Sequence, residues 1–200
     1  MKLKRITTLI FVLMILICTL ISCSGDGRSE DIVILYTNDV HCGIEDDIGY
    51  SGLAAYKKSM ESKYRHVTLV DCGDAIQGDF IGTVSDGEYI VDIMNKLGYA
   101  FAVPGNHEFD YGMDTLSSLI GKAEYDYLAC NIKYTGNGKN ALEDIEPYRI
   151  MSYGKEKVAF IGVATPESVT KSTPTYFMEN GEFVYHFTRE DNGAALYSCV

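Results

Sequence analysis

Four short apolar runs at near-regular intervals constrain this chain more than any other feature. They are IVILYT (32–37), HVTLVD (66–71), YAFAV (99–103) and YDYLACN (125–131). Helix-period segments separate them. LAAYKKSMESKY (53–64) places Leu53, Tyr56, Met60 and Tyr64 on one stripe, and EYIVDIMNKLG (88–98) places Ile90, Ile93, Met94 and Leu97 at i, i+3, i+4 and i+7, with Gly98 as the stop. DTLSSLIGKA (114–123) repeats the spacing with Leu116, Leu119, Ile120 and Ala123. Tyr89, Ile93 and Leu97 are expected in the core. Strand alternating with helix is the grammar of right-handed crossovers on a parallel sheet with both faces covered, so an α/β fold opening with a βαβαβαβ unit is expected.

The grammar changes after residue 147. YRIMSYGKEKVAFIGVATPE (148–167) is two runs about a turn at Gly154 to Glu156, which predicts a β-hairpin. STPTYFMENGEFVYHFTRED (172–191) is polar, aromatic and turn-rich, and predicts an insertion with a short hairpin at ENGE. GAALYSCV (193–200) has the look of a helix just starting, as in a domain incomplete at its C-terminus.

The first residues are set apart from the fold. MKLKR is a basic n-region, ITTLIFVLMILICTL an apolar core, and LISC (20–23) has the order of a bacterial lipobox. This predicts a signal peptide over 1–22, lipidation at Cys23, a tether over 23–30, and a domain over 31–200 on an exported, membrane-anchored lipoprotein. The competing expectation is an uncleaved membrane helix, since an apolar stretch of about 17 residues is near the lower limit for a span. Without Lys2, Lys4 and Arg5 the net charge falls from −11 to −14. Such a surface excludes a nucleic-acid tracker, and an anionic substrate needs a local positive charge that bound metal can supply. Cys42, Cys72, Cys130 and Cys199 show no CxxC and no zinc spacing, so buried thiols at strand ends are expected before disulfides.

Ligands of an open parallel sheet bind at the carboxyl ends of its strands. The first three strands run into NDVHCG, DCGDAIQGD and PGNHEFDYG, which supply Asp39 and His41, then Asp74 and Gln77, then Asn106, His107 and Asp110. Asp39 to Asp74 and Asp74 to Asn106 are 35 and 32 residues apart, one strand-helix unit each, so the three loops open on one edge. Carboxylate oxygen with imidazole nitrogen suits Zn, Mn, Fe or Co better than calcium. A glycine-flanked Asp74 can offer one oxygen to each of two cations, and Asn106 adds a neutral oxygen; this is the inventory of a two-metal hydrolytic site. Singly, Asp39 and Asp74 also suit helix caps or Asx-turns, Asn106 a turn, and His107 a surface imidazole. Glu108 is expected to be structural, holding its own loop.

TNDVHCG, DCGDAIQGD and GNHEFDYG resemble, in order and spacing, the D-x-H, G-D-x-x-Q and G-N-H-E-F-D motifs of calcineurin-like metallophosphoesterases. TND-x-H with GNHEFDYG is similar to the 5′-nucleotidase branch, which includes exported UDP-sugar hydrolases and 2′,3′-cyclic-nucleotide phosphodiesterases. VAFIGVATPE also resembles a strand of that branch, and the likeness runs over about residues 31 to 170. It implies a layered metallophosphoesterase-type sandwich and two divalent metal ions. Asp39 and His41 would ligate the first metal, Asp74 would bridge, and Asn106 would ligate the second. His107 would protonate the leaving alkoxide of a nucleotide or related phosphate ester, with Asp110 orienting its ring.

The chain departs from the family in two respects. Histidines of an H-x-G and a G-H-x-H segment have no counterpart, since His66 starts its strand and His186, in VYHFTRED, fits neither motif. These 200 residues hold no counterpart of the nucleoside-recognising second domain, which is expected beyond them. The expectation is the N-terminal portion of a longer enzyme, with weak metal binding and little turnover on its own. A different ester, either a cyclic nucleotide or a nucleotide sugar, and a surface lipoprotein that kept the fold but lost catalysis are the competing functions.

Overall fold

The computed structural model describes residues 27–187. The signal peptide, Cys23, the helix start at 193–200 and Cys199 lie outside them.

Strands β1 (Ser29–Thr37), β2 (Tyr64–Asp71), β3 (Phe101–Ala102) and β4 (Asp126–Tyr127) form a parallel sheet in the order β1-β2-β3-β4. Thr37 pairs with Asp71, Asp71 with Ala102, and Ala102 with Tyr127, so all four strands end in register at one edge. β3 is cut short by Pro104, which has no N–H for the ladder, although Val103 N–H still reaches Asp71 O at 3.1 Å. β1 starts at Ser29, so the last residues of the expected tether belong to the sheet.

Helices α1 (Gly49–Glu61), α2 (Phe80–Ser85), α3 (Glu88–Leu97) and α4 (Met113–Lys122) connect the strands. Ile90, Val91 and Met94 of α3 and Leu116, Leu119 and Ile120 of α4 are buried in one cluster with Leu69 and Ala102 of the sheet. Ile93 and Leu97 are half-buried. Three expectations fail here. Tyr89 is 52 % exposed, since at 100° per residue it turns away while Ile90 and Val91 face the sheet. Tyr56 is 50 % exposed and Tyr64 opens β2, because the helix ends at Glu61; α1 packs through the expected Leu53 and through Tyr50. β1, expected to be covered on both faces, is an edge strand, with Ile34 45 % and Tyr36 71 % exposed among the described residues.

The second layer is the hairpin of β6 (Tyr148–Tyr153) and β7 (Glu156–Ile161), turning at Gly154 with φ 62°. It lies on the face opposite the helices. Phe160 packs on Phe101 with ring centroids 4.9 Å apart, Tyr153 Oη meets Thr68 Oγ1 at 2.5 Å, and Arg149 grips Asp126 at 2.7 Å. β5 (Ile132–Tyr134) precedes this hairpin, and α5 (Ser168–Lys171), β8 (Met178–Glu179), β9 (Glu182–Phe183) and β10 (Tyr185–Phe187) follow it. β8 and β9 turn at Asn180 and Gly181, both with positive φ, the Asn-Gly chemistry of a tight hairpin and the one expected at ENGE. β10 pairs with β5, which places Phe187 beside Phe177 and against Phe109, just behind the third loop.

Candidate metal centre

Three loops leave the aligned strand ends and are tied to one another by main-chain bonds. Asp39 N–H donates to Gly73 O at 3.0 Å, His41 N–H to Asp74 O at 2.9 Å, and Cys42 N–H to Ala75 O at 3.0 Å, while His41 O accepts from Asp79 N–H. Reaching these partners puts Asp39, His41, Cys42 and Asp74 in the left-handed region, with φ from 48° to 62°. Non-glycine residues pay for that conformation, and such strain collects at functional sites. The second and third loops touch at their glycines. A Cβ on Gly73 would sit 2.7 Å from Gly105 N, and one on Gly105 would collide with the Asp74 carboxylate.

The outcome is a cluster in which His41, Asp74 and His107 present ligand atoms all within 4.8 Å of one another. The His41 and His107 rings meet edge to face, with centroids 4.7 Å apart. Asp39 Oδ1 lies 3.6 Å from His41 Nε2. His41 Nδ1 is 3.2 Å from Gln77 O, a carbonyl that can only accept. A proton on Nδ1 satisfies that carbonyl and leaves Nε2 open to a cation, the usual arrangement in which an outer partner fixes the tautomer. His107 is held in the same way by Asp110 Oδ2, 2.6 Å from Nδ1. The backbone N–H of His107 donates to Asp74 Oδ1 at 2.8 Å, which fixes the carboxylate against the third loop. Asn106 heads the 3₁₀ turn of His107–Phe109, beside His107. An open cleft of about 400 Å³, lined by Tyr36, Asn38, Asp39 and Ile48 among others, adjoins the first loop. The His41 imidazole with carboxylate oxygens fits a borderline divalent cation.

Buried carboxylates support the cluster. Glu108, 2 % exposed, is pushed above the usual carboxylate range by burial, which backbone N–H bonds from Asp74, Ala75 and Gly105 oppose. Asp71 accepts from Thr37 Oγ1 at 2.6 Å and from Gly73 N–H at 2.9 Å; burial, then the Glu108 charge, raises it to about 7. Because the folded form holds this proton between about pH 4 and 7 while the unfolded chain releases it, stability falls as pH rises through that window, by up to about 4 kcal/mol. Urea unfolding of the metal-free protein at pH 4.5 and 7.5 checks this. Asp71→Asn is expected to flatten the slope, and an unchanged slope would refute the assignment.

Cys42 and Cys72 are not poised as nucleophiles. Burial pushes Cys42 up to about 11, and burial and then Asp71 raise Cys72. Cys42 is buried as expected, but Cys72 is exposed because it follows β2 on the open edge; neither they nor Cys130 form a disulfide.

Sequence reasoning missed the Gln77 carbonyl, whose role is main-chain and leaves no side-chain signature. It also missed Asp71, whose only trace is an acid closing a buried strand.

A parallel sheet whose carboxyl edge gathers carboxylates and imidazoles defines an α/β protein of the metal-centre class. The chain belongs to the calcineurin-like phosphoesterase family, whose model matches residues 32–192. The snake venom 5′-nucleotidase of Gloydius brevicauda is 35 % identical over 179 positions, covering 82 % of this chain and 30 % of that protein. The 5′-nucleotidase of Bos taurus is 32 % identical, covering 74 % and 29 %. Among solved structures, the NAD nucleotidase of Haemophilus influenzae superposes with a TM-score of 0.70 at 26 % identity, covering 83 % of this chain and 31 % of that one. The chain thus spans less than a third of the length of these relatives. No helix among the described residues is long and apolar enough to cross a membrane.

Proposed function

We propose that this chain carries part of the active site of an exported, two-metal phosphoesterase that hydrolyses nucleotide phosphate esters in the manner of a 5′-nucleotidase. The convergence of His41, Asp74 and His107 within 4.8 Å, from three separate loops, is the observation that carries it. The family and its 5′-nucleotidase relatives support it. Asp39 and His41 would hold one cation, Asn106 the other, and Asp74 would serve both. When bound, the cations supply Lewis-acid charge to the phosphate and lower the pKa of water. His107 donates a proton from Nε2 to the departing oxygen, and Asp110, at 2.6 Å from Nδ1, keeps the ring turned to do so. The likeness to a lipobox at 20–23 supports an anchor at Cys23, leaving the domain outside the cytoplasm.

Phosphate release from AMP and from p-nitrophenyl phosphate, with Mn²⁺ or Zn²⁺ and with chelator, tests the activity. Release is expected to be slow, to need the metal, and to fall about 100-fold or more in His107→Ala. Release that survives chelation or the loss of His107 would overturn the proposal, as would none at all with metal bound, the outcome for a fold that has lost catalysis.

A further inference from the structure

Glu108 sits on the third loop, yet most of its hydrogen bonds leave that loop. Oε2 accepts from Gly105 N–H at 2.6 Å and from Asp74 N–H at 2.8 Å, while Oε1 accepts from Ala75 N–H at 2.9 Å and from Ile76 N–H at 3.4 Å. Both oxygens are therefore occupied by donors, and three of the four donors belong to the second loop. None of these amides has a strand or helix partner, because residues 72–79 and 103–106 lie outside the regular elements. A buried N–H left unsatisfied costs about 1 to 3 kcal/mol, so the carboxylate is what allows this stretch of backbone to be buried at all.

The donors matter because of where they lie. Asp74 N–H is gripped by Glu108, and the Asp74 side chain in turn accepts from His107 N–H, the residue preceding Glu108. The two loops thus exchange hydrogen bonds in both directions at the point where their metal-facing side chains meet. Asp74 is held there at φ 59°, in the sparsely populated left-handed region.

We propose that Glu108 is a positioning residue that locks the second loop to the third, fixing Asp74 relative to His41 and His107 before a cation arrives. This rests on the metal-centre assignment made above. Glutamine has almost the same shape but offers one acceptor oxygen and an NH₂ group; placed here, its amide nitrogen faces N–H donors wherever it points. Aspartate keeps the charge but is one methylene too short to reach both loops. The locking function therefore requires a carboxylate of this length.

Mn²⁺ binding to the full chain, followed by the loss of the free-ion EPR signal, gives a readout independent of turnover. Glu108→Gln and Glu108→Asp are expected to weaken affinity about 10- to 100-fold while circular dichroism shows the fold retained. Glu143→Gln, which alters an exposed carboxylate outside the three loops, is expected to leave affinity unchanged. Wild-type affinity in a folded Glu108→Gln protein would overturn the lock, whereas a wild-type chain that binds no Mn²⁺ would instead overturn the metal centre. Should neither Glu108 variant fold, amide exchange in the wild-type, metal-free protein decides. The lock requires Asp74, Ala75 and Gly105 N–H groups to be protected as strongly as those of β2, and exchange at loop rates would refute it.

Discussion

Asp74→Asn is expected to lower the affinity of the protein for Mn²⁺ or Zn²⁺ at least 100-fold. Asp74 is the member of the cluster placed between the first loop and the third: its main-chain O accepts from His41 N–H and its Oδ1 from His107 N–H. An asparagine keeps one oxygen for His107, so the loop geometry survives. What it loses is a negative charge and the second oxygen, and an amide nitrogen does not ligate these metals. Because the residue is half-buried and its main-chain bonds are untouched, the melting temperature of the metal-free variant is expected to stay within a few degrees of wild type. Isothermal titration with thermal melts separates the two quantities. Undiminished affinity would show that the cation sits elsewhere.

The second large effect is one of stability. Phe109 is fully buried, with Phe177 at 5.1 Å and Phe187 at 5.7 Å between ring centroids, and it lies two residues from His107. It joins the His107–Phe109 turn to the β5-β10 sheet and the insertion. Phe109→Ala is expected to cost about 3 to 5 kcal/mol, since the Phe177 and Phe187 rings then line a cavity that this rigid corner cannot close. For a domain of this size the melting temperature should fall by roughly 6 to 20 °C. Metal affinity should fall with it, because the turn bearing Asn106 and His107 loses its anchor. A loss under about 1 kcal/mol, measured by urea unfolding, would mean that the aromatic cluster is not what holds the third loop.

Much of this organisation was legible in the residues. Intervals of 35 and 32 placed Asp39, Asp74 and Asn106 one strand-helix unit apart, and the sheet register puts the three loops on one edge as that spacing requires. The hairpins at Gly154 and at Asn180 with Gly181 were equally plain, since turn chemistry is local. Side-chain direction was less so. The stripe through Tyr56 and Tyr64 crossed a helix end that periodicity alone does not mark, and Tyr89 lay one residue off the buried face. α2, with Phe80 76 % and Val84 59 % exposed, has no apolar stripe to announce it. The positive φ of Asp39, His41 and Cys42 could not be read either, because none is a glycine; it is imposed by bonds to a loop some 30 residues away. Glu108 shows the same limit. Its bond to its own loop was expected, but its grip on residues 74 to 76 is a tertiary fact.

Anomalous scattering from crystals of the full chain grown with Mn²⁺ or Zn²⁺ shows whether these three loops bind divalent cations. One peak is expected among Asp39, His41 and Asp74, and a second between Asp74 and Asn106. Metal-loaded crystals with no anomalous density at Asp74 would contradict this placement.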